Sequence, residues 1–201
     1  MLILGKIVSL SVLMLASMNV ATAKVYKIRT DSGHCSAFVI SETQAITAAH
    51  CFRPSLIAQI EGKSVQQTGI MFHGNIGLQT PFVLKKSAVR QDLALLEGNF
   101  NGFEKLELVR DMDQILSRRD KLEATACGFA WASNISSCIE LTGLIPWKWF
   151  VGSQSFAYPG MSGGPVIVDG KVFAVVVGII DNTILYSPLI GIDALLGVEY
   201  D

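Results

Sequence analysis

The chain has 201 residues, half of them hydrophobic and 16% charged, with a formal net charge of −1. This balance suits one domain, or two small barrels packed together, with ample material for a core. It excludes a basic nucleic-acid surface: the one brief basic cluster, Arg118-Arg119 with Lys121, is not interleaved with aromatics and reads as a solvated loop.

In chain order, the first element is a targeting segment. Lys6 supplies a positive start, residues 7–18 are mostly apolar, and Ala21-Thr22-Ala23 offers small residues for signal peptidase. Cleavage is placed after Ala23, which makes 1–23 a signal peptide and 24–201 the mature domain. The apolar run falls short of the roughly 20 residues of a comfortable membrane span. No later segment is long enough either, so the mature chain is expected to be secreted or periplasmic, without a membrane contact. Four cysteines follow, Cys35, Cys51, Cys127 and Cys138. An even number in an exported chain suggests two disulfides, and four cysteines allow three pairings. Zinc is the competing reading, but there is no CxxC pair and only three histidines are present. Neither a metal nor a cofactor is expected.

Val25-Tyr26-Lys27-Ile28 alternates and reads as an opening strand. Asp31-Ser32-Gly33-His34 is turn-like. Cys35-Ser36-Ala37-Phe38-Val39-Ile40 reads as a buried strand, and Ala45-Ile46-Thr47 as a short one. Two strand-like runs fall within 56–67, and Phe82-Val83-Leu84 is another. His73, beside Gly74-Asn75, is expected in a surface loop. Asp92 opens a strongly apolar strand over 93–96. Residues 103–119 read as a connection with one helical turn near Asp111. Strand character resumes over 122–128, and Cys127 and Cys138 flank Trp131-Ala132-Ser133-Asn134. Val166-Ile167-Val168, the turn Asp169-Gly170 and the run 172–180 form a hairpin signature. Tyr186-Ser187-Pro188 ends another strand, and 192–198 suits a short amphipathic helix. Many short strands with glycine turns and little helix imply an all-β fold.

Three stretches carry the chemistry. In Tyr158-Pro159-Gly160-Met161-Ser162-Gly163-Gly164-Pro165 a serine sits between glycines, with few side chains to shield it. A serine hydroxyl needs a base to act as a nucleophile. Thr47-Ala48-Ala49-His50-Cys51 offers an imidazole. Asp92 offers a carboxylate that is costly to bury alone at a strand edge and gains a physical reason if it pairs with that imidazole. A lone histidine is by default a core residue, and a lone aspartate there a strand cap. The order His, Asp, Ser and the shared context set these three apart. The same serine motif is formally the Gly-x-Ser-x-Gly of a hydrolase elbow, but a proline and a β run follow it rather than a helix.

Together these segments resemble the trypsin/chymotrypsin family of serine endopeptidases, in the family's order and at compatible spacings over most of the mature chain. The resemblance implies two six-stranded antiparallel Greek-key barrels, about 24–105 and about 120–201, with a short C-terminal helix. It implies His50 as general base, Asp92 as its orienting acid, Ser162 as nucleophile, and the amides of Gly160 and Ser162 as an oxyanion hole. It matches Cys35 and Cys51 to the disulfide that borders the catalytic histidine. The simplest pairing left is Cys127 with Cys138. Counted in the family's manner, the base of the specificity pocket falls on Phe156 and its wall on Val177 to Ile179. None of these is an acid, so a hydrophobic or small residue before the scissile bond is expected.

The chain departs from the digestive branch of the family in two places. Met161 stands where that branch has an acid that pairs with a newly cut N-terminus, and no Ile-Val-Gly-Gly-like start lies near Lys24. Activity without that activation step is therefore expected. A serine that supports the acid in many relatives is missing near Val177. The implied partners are protein or peptide substrates, and the implied state is a monomer. The rival reading is a protease-like binding module with little or no catalytic activity, although no triad member has been lost.

Overall fold

In this computed structural model the described residues are 24–52, 67–73, 77–118, 123–141, 145–147, 150–153, 157–180, 183–190 and 192–197. Residues 1–23, expected as a signal segment, the strand-like runs before Gln67, and Phe156 lie outside them.

The first half is a closed barrel built from β1 (Tyr26–Thr30), β2 (Gly33–Val39), β3 (Gln44–Ala48), β4 (Thr68–His73), β5 (Leu78–Ala88) and β6 (Leu93–Gly98), in the order β1-β2-β3-β6-β5-β4 with β4 back against β1. After β3 the chain makes β4 and β5 and returns through β6 beside β3, the Greek-key route. The burial of each strand follows its letters. β1 alternates, with Tyr26 and Ile28 inward, whereas β2 from Cys35 to Val39 and β6 from Leu93 to Leu96 are continuously buried. The turn between β1 and β2 is shorter than the sequence suggested. Thr30 pairs with Gly33, so the loop is Asp31-Ser32 alone, and His34 stands in β2 opposite Arg29. His73 likewise ends β4 rather than sitting in a loop.

The second half is a seven-stranded antiparallel sheet, one strand more than the six expected. It comprises β7 (Ala124–Gly128), β8 (Ser137–Leu141), β9 (Ile145–Trp147), β10 (Phe150–Ser153), β11 (Pro165–Val168), β12 (Lys171–Ile180) and β13 (Thr183–Pro188), in the order β8-β7-β11-β12-β13-β10-β9. Its two ends, β8 and β9, are only the step from Leu141 to Ile145 apart in sequence. Four residue steps reach about 14 Å at most. A flat seven-strand sheet would separate its edges by roughly 29 Å. The sheet must therefore curl toward itself, as a barrel wall does. Asp169 and Gly170 both have positive φ, 49° and 76°, which is the type I′ turn the Asp-Gly pair selects between β11 and β12.

The connector is stitched to both halves. The Leu106 amide donates to Val39 and the Val109 amide to Val172. Tyr26 accepts from the Glu104 amide and packs edge-on against Phe103, and its burial pushes the phenol pKa up. A short helix, Met112–Ser117, is capped by the Asp111 carboxylate on the Gln114 amide. The C-terminal helix, Ile192–Leu196, turns Ile192 and Leu195 into the first barrel's core. That core also takes Val172 and Val175 from β12, while Phe173, Ala174, Val176 and Tyr186 fill the second. One strand thus feeds both cores, and the seam between them is where the three sequence motifs meet.

Candidate active site

His50 and Asp92 are brought together by strand register. β3 and β6 pair Thr47 with Ala94 and Ala48 with Leu93, so the next residues across the ladder are Ala49 and Asp92. The Ala49 amide indeed donates to the Asp92 carbonyl at 3.0 Å. Past that point the ladder ends in a 3-10 turn, Ala49–Phe52, which carries His50. Asp92 lies in the left-handed region, φ 53° and ψ 40°, at the end of a 3-10 turn over Val89–Gln91. Aspartate is among the few side chains that tolerate this conformation. It turns the carboxylate onto His50. Oδ1 accepts the His50 backbone amide at 2.7 Å and Oδ2 faces ring Nδ1 at 2.7 Å. An ionised carboxylate only accepts, so in this pairing Nδ1 donates, and in the neutral ring Nε2 is left with the lone pair. The two side chains are 38% and 21% exposed, open enough for a substrate to reach and sheltered enough for the pair to hold.

A disulfide joins Cys35 on β2 to Cys51, the residue after His50. The Thr30 hydroxyl also donates to the Cys51 carbonyl. His50, Cys35 and Cys51 cluster closely enough to suggest a metal site, but both sulfurs are spent in the disulfide and offer no thiolate. The second disulfide crosses directly between β7 and β8, where Cys127 and Cys138 are register partners.

Ser162 lies in the loop between Ala157 and β11. Its carbonyl accepts the Ser36 amide of β2 at 2.7 Å, and the next amide, Gly163, donates to Val176 of β12 at 2.8 Å. The loop is therefore clamped between the two halves of the fold. The glycines are required by that clamp. Gly163 has φ 85°, and a Cβ there would strike the Ser36 carbonyl, the Thr47 hydroxyl and the Ala48 amide; one at Gly164 would strike the Cys127 carbonyl. These neighbours lie on β2, just before His50 on β3, and near the end of β7. The backbone of Ser162 is thus tied to the strands that lead to His50. No hydrogen bond joins its hydroxyl to the His50 ring among the described residues.

Upstream, Tyr158-Pro159-Gly160-Met161 forms a turn in which the Met161 amide donates to Tyr158 at 3.1 Å. Proline second and glycine third, with φ 95°, is the type II pattern. The Pro159 carbonyl accepts the Trp131 amide at 2.6 Å. In a trans peptide the carbonyl and the following N–H point in opposite directions. Fixing the Pro159 oxygen therefore turns the Gly160 N–H the other way. Neither the Gly160 nor the Ser162 amide has a partner within the protein among the described residues.

A family model described as a trypsin-like peptidase domain matches residues 35–179. That stretch covers most of the chain and holds all three motifs. The chain belongs to the trypsin-like peptidase family. Among solved structures it is similar to the inactive and active forms of the Rv3671c protease, the latter from M. tuberculosis. Both are 18% identical, with TM-scores of 0.65 and 0.66, covering 88% and 90% of this chain and 90% and 84% of the other. It is also similar to a serine endoprotease from Yersinia pestis, at 13% identity and TM-score 0.66, covering 88% of this chain and 62% of that one. At these identities the likeness establishes the shared fold. No curated protein matches the sequence.

Three more of the expected residues are among those described. Met161 is fully buried in the second core, with its backbone against Gly128. Val177 is half-buried on β12 against the first core. Ile179 lies on the same strand, paired with Ile184. Two contributors were missed in the sequence. In the sequence Trp131 reads only as part of a loop between cysteines, whereas its backbone amide holds the Pro159 carbonyl. Ser36 was read only as one letter of a buried strand. The available signal was that a hydroxyl in a fully buried strand must find partners.

Proposed function

We propose that the chain is a secreted or periplasmic serine endopeptidase that cleaves protein or peptide substrates through an acyl-enzyme. The observation that carries this reading is the twofold hold of Asp92 on His50, both bonds at 2.7 Å, beside a serine loop bonded to β2 and β12 and packed at Gly163 against β3. His50 Nε2 takes the Ser162 proton as the hydroxyl attacks the scissile carbonyl. Asp92 keeps the imidazole in the productive tautomer and stabilises the imidazolium. The Gly160 and Ser162 amides receive the negative oxygen of the tetrahedral intermediate, and one such donor is worth about 3 kcal/mol. His50 then gives its proton to the leaving amine. Water enters as the second nucleophile and releases the acyl group by the same steps in reverse roles.

Substrate pairing uses β12. β11 covers it only as far as the pair Pro165–Val175, and the glycines of the serine loop bond to Val176. From Val177 onward β12 has β13 on one side and, among the described residues, no paired strand on the other. An extended peptide fits that edge by strand addition. Val177, Ile179 and Phe156 are assigned to the pocket for the residue before the scissile bond, which favours a hydrophobic or small side chain. Met161 needs no ion pair where it lies, so the enzyme is competent once the signal segment is removed. Cleavage of a peptide library by the exported chain, compared with Ser162→Ala, tests the assignment. Products ending in apolar or small residues, made only by the parent, support it. Products ending mainly in Arg or Lys contradict the pocket, and equal cleavage by both chains contradicts Ser162.

A further inference from the structure

We infer that Ser36 is a positioning residue whose buried hydroxyl holds the nucleophile loop in the shape that aims the Ser162 amide at the reacting carbonyl. The inference rests on the peptidase reading above. Ser36 is fully buried on β2 and all its polar groups are engaged. Its amide donates to the Ser162 carbonyl at 2.7 Å and its carbonyl accepts the Thr47 hydroxyl at 2.7 Å. Its own hydroxyl accepts the Phe129 amide at 2.9 Å and donates to the Gly160 carbonyl at 2.8 Å. A hydroxyl has one proton. With the Phe129 N–H on a lone pair, that proton is directed at Gly160.

The consequence is geometric. The Gly160 carbonyl belongs to the peptide before Met161, and the Ser162 carbonyl to the peptide after Ser162. Ser36 ties down both. The peptide between them carries the Ser162 N–H, and peptide planes are rigid. The Met161 carbonyl of that same peptide accepts the Gly164 amide at 2.9 Å, and with both neighbouring peptides held by Ser36 as well, the direction of that N–H is set. The main chain of residue 36 supplies only one of the two ties, whatever its side chain. The other exists because this residue is a serine. The same hydroxyl spans the seam, since Phe129 follows β7 in the second sheet while β2 belongs to the first barrel. Ser36 touches no substrate in this arrangement and acts through Gly160.

The test compares the exported parent chain with Ser36→Ala and Ser36→Thr, using a peptide the parent cleaves. In Ser36→Ala, kcat is expected to fall about tenfold to a hundredfold while KM changes less than about twofold, because the lost aim matters only once the oxyanion forms. Affinity for a peptidyl boronate, which forms a tetrahedral adduct on the serine oxygen, is expected to fall by the same factor as kcat/KM. Ser36→Thr keeps the hydroxyl and is expected to restore most of kcat. If Ser36→Ala does not fold, Ser36→Gly removes the same hydroxyl and is expected to show the same split. A folded Ala or Gly variant with parental kcat overturns the inference. So does a loss that lies wholly in KM. A parent that cleaves nothing overturns the peptidase reading itself, whereas an active parent matched by Ser36→Ala overturns this inference alone.

Discussion

Asp92 grips His50 at two points, the backbone amide through Oδ1 and the ring through Oδ2, each at 2.7 Å. The double grip separates charge from scaffolding. Asp92→Asn suits the left-handed backbone there, because asparagine tolerates that region too. An amide keeps one acceptor and gains a donor, so it cannot hold both N–H groups of His50. The expected result is a folded protein with a melting temperature near the parent's and kcat lower by on the order of 10⁴-fold. Steady-state kinetics beside thermal melting checks it. An Asn variant within about tenfold of parental kcat contradicts the assigned role of Asp92.

Gly163 and Gly170 both have positive φ, 85° and 76°, yet only Gly163 has neighbours in the space a Cβ would fill. Gly170→Ala carries backbone strain alone and is expected to cost about 1 kcal/mol. Gly163→Ala must also push β2 or β3 aside, and is expected to cost more than about 2 kcal/mol. Because the displaced groups are the Ser36 carbonyl and the Thr47 hydroxyl, activity should fall further than stability explains. Denaturant melts and kcat for the two variants separate these effects. Equal costs at the two sites would refute the clamp.

How much of this could be read from the letters depends on how local each requirement is. The Pro-Gly turn, the Gly163-Gly164 pair and the Asp169-Gly170 hairpin declare their backbone demands in adjacent residues, and the structure contains each turn. The fold class followed from many short apolar runs between glycine turns. The seventh strand did not, because β9 and β10 are only three and four residues long and are defined by pairing with each other and β13. Asp-Ser-Gly before it makes His34 read as part of a turn. The register of β1 against β2 closes the loop two residues earlier and leaves His34 in a strand. The contribution of Ser36 was invisible for a different reason. Its partners Phe129 and Gly160 are 93 and 124 residues away, and no local pattern encodes them.

Trp131 offers a test of main chain against side chain. Trp131 is 69% exposed and its ring centroid lies 5.8 Å from that of Tyr158, while its amide holds the Pro159 carbonyl. Its φ is 55°, where glycine is at ease. Trp131→Gly keeps the N–H and is expected to retain kcat within a few-fold. Trp131→Pro removes the N–H and cannot adopt that φ. It frees the peptide that aims the Gly160 amide, and kcat is expected to drop by about 10²–10³, the loss of one oxyanion donor. Kinetics on both variants decides the matter. A Pro variant as active as the Gly variant would show that this hydrogen bond does not set the Gly160 amide.

The Cys35–Cys51 disulfide closes a loop of sequence separation 16. Replacing both cysteines by alanine is expected to cost about 3 kcal/mol in unfolding free energy. Because Cys51 follows His50 in the same 3-10 turn, kcat should fall as well, even at temperatures where the variant stays folded. Urea melts and turnover at 10 °C test both halves of the statement. A variant of parental stability would contradict the first, and parental kcat the second.

The most direct test of the whole account is covalent labelling by a fluorophosphonate, with the modified residue located by peptide mass spectrometry. The chain from Lys24 to Asp201 is expected to carry the label on Ser162. The label should disappear in Ser162→Ala, and in His50→Ala it should form at least about a thousandfold more slowly. A folded, disulfide-bonded chain that takes no label, or takes it elsewhere, would contradict an activated Ser162 and leave the rival reading of a protease-like binding module.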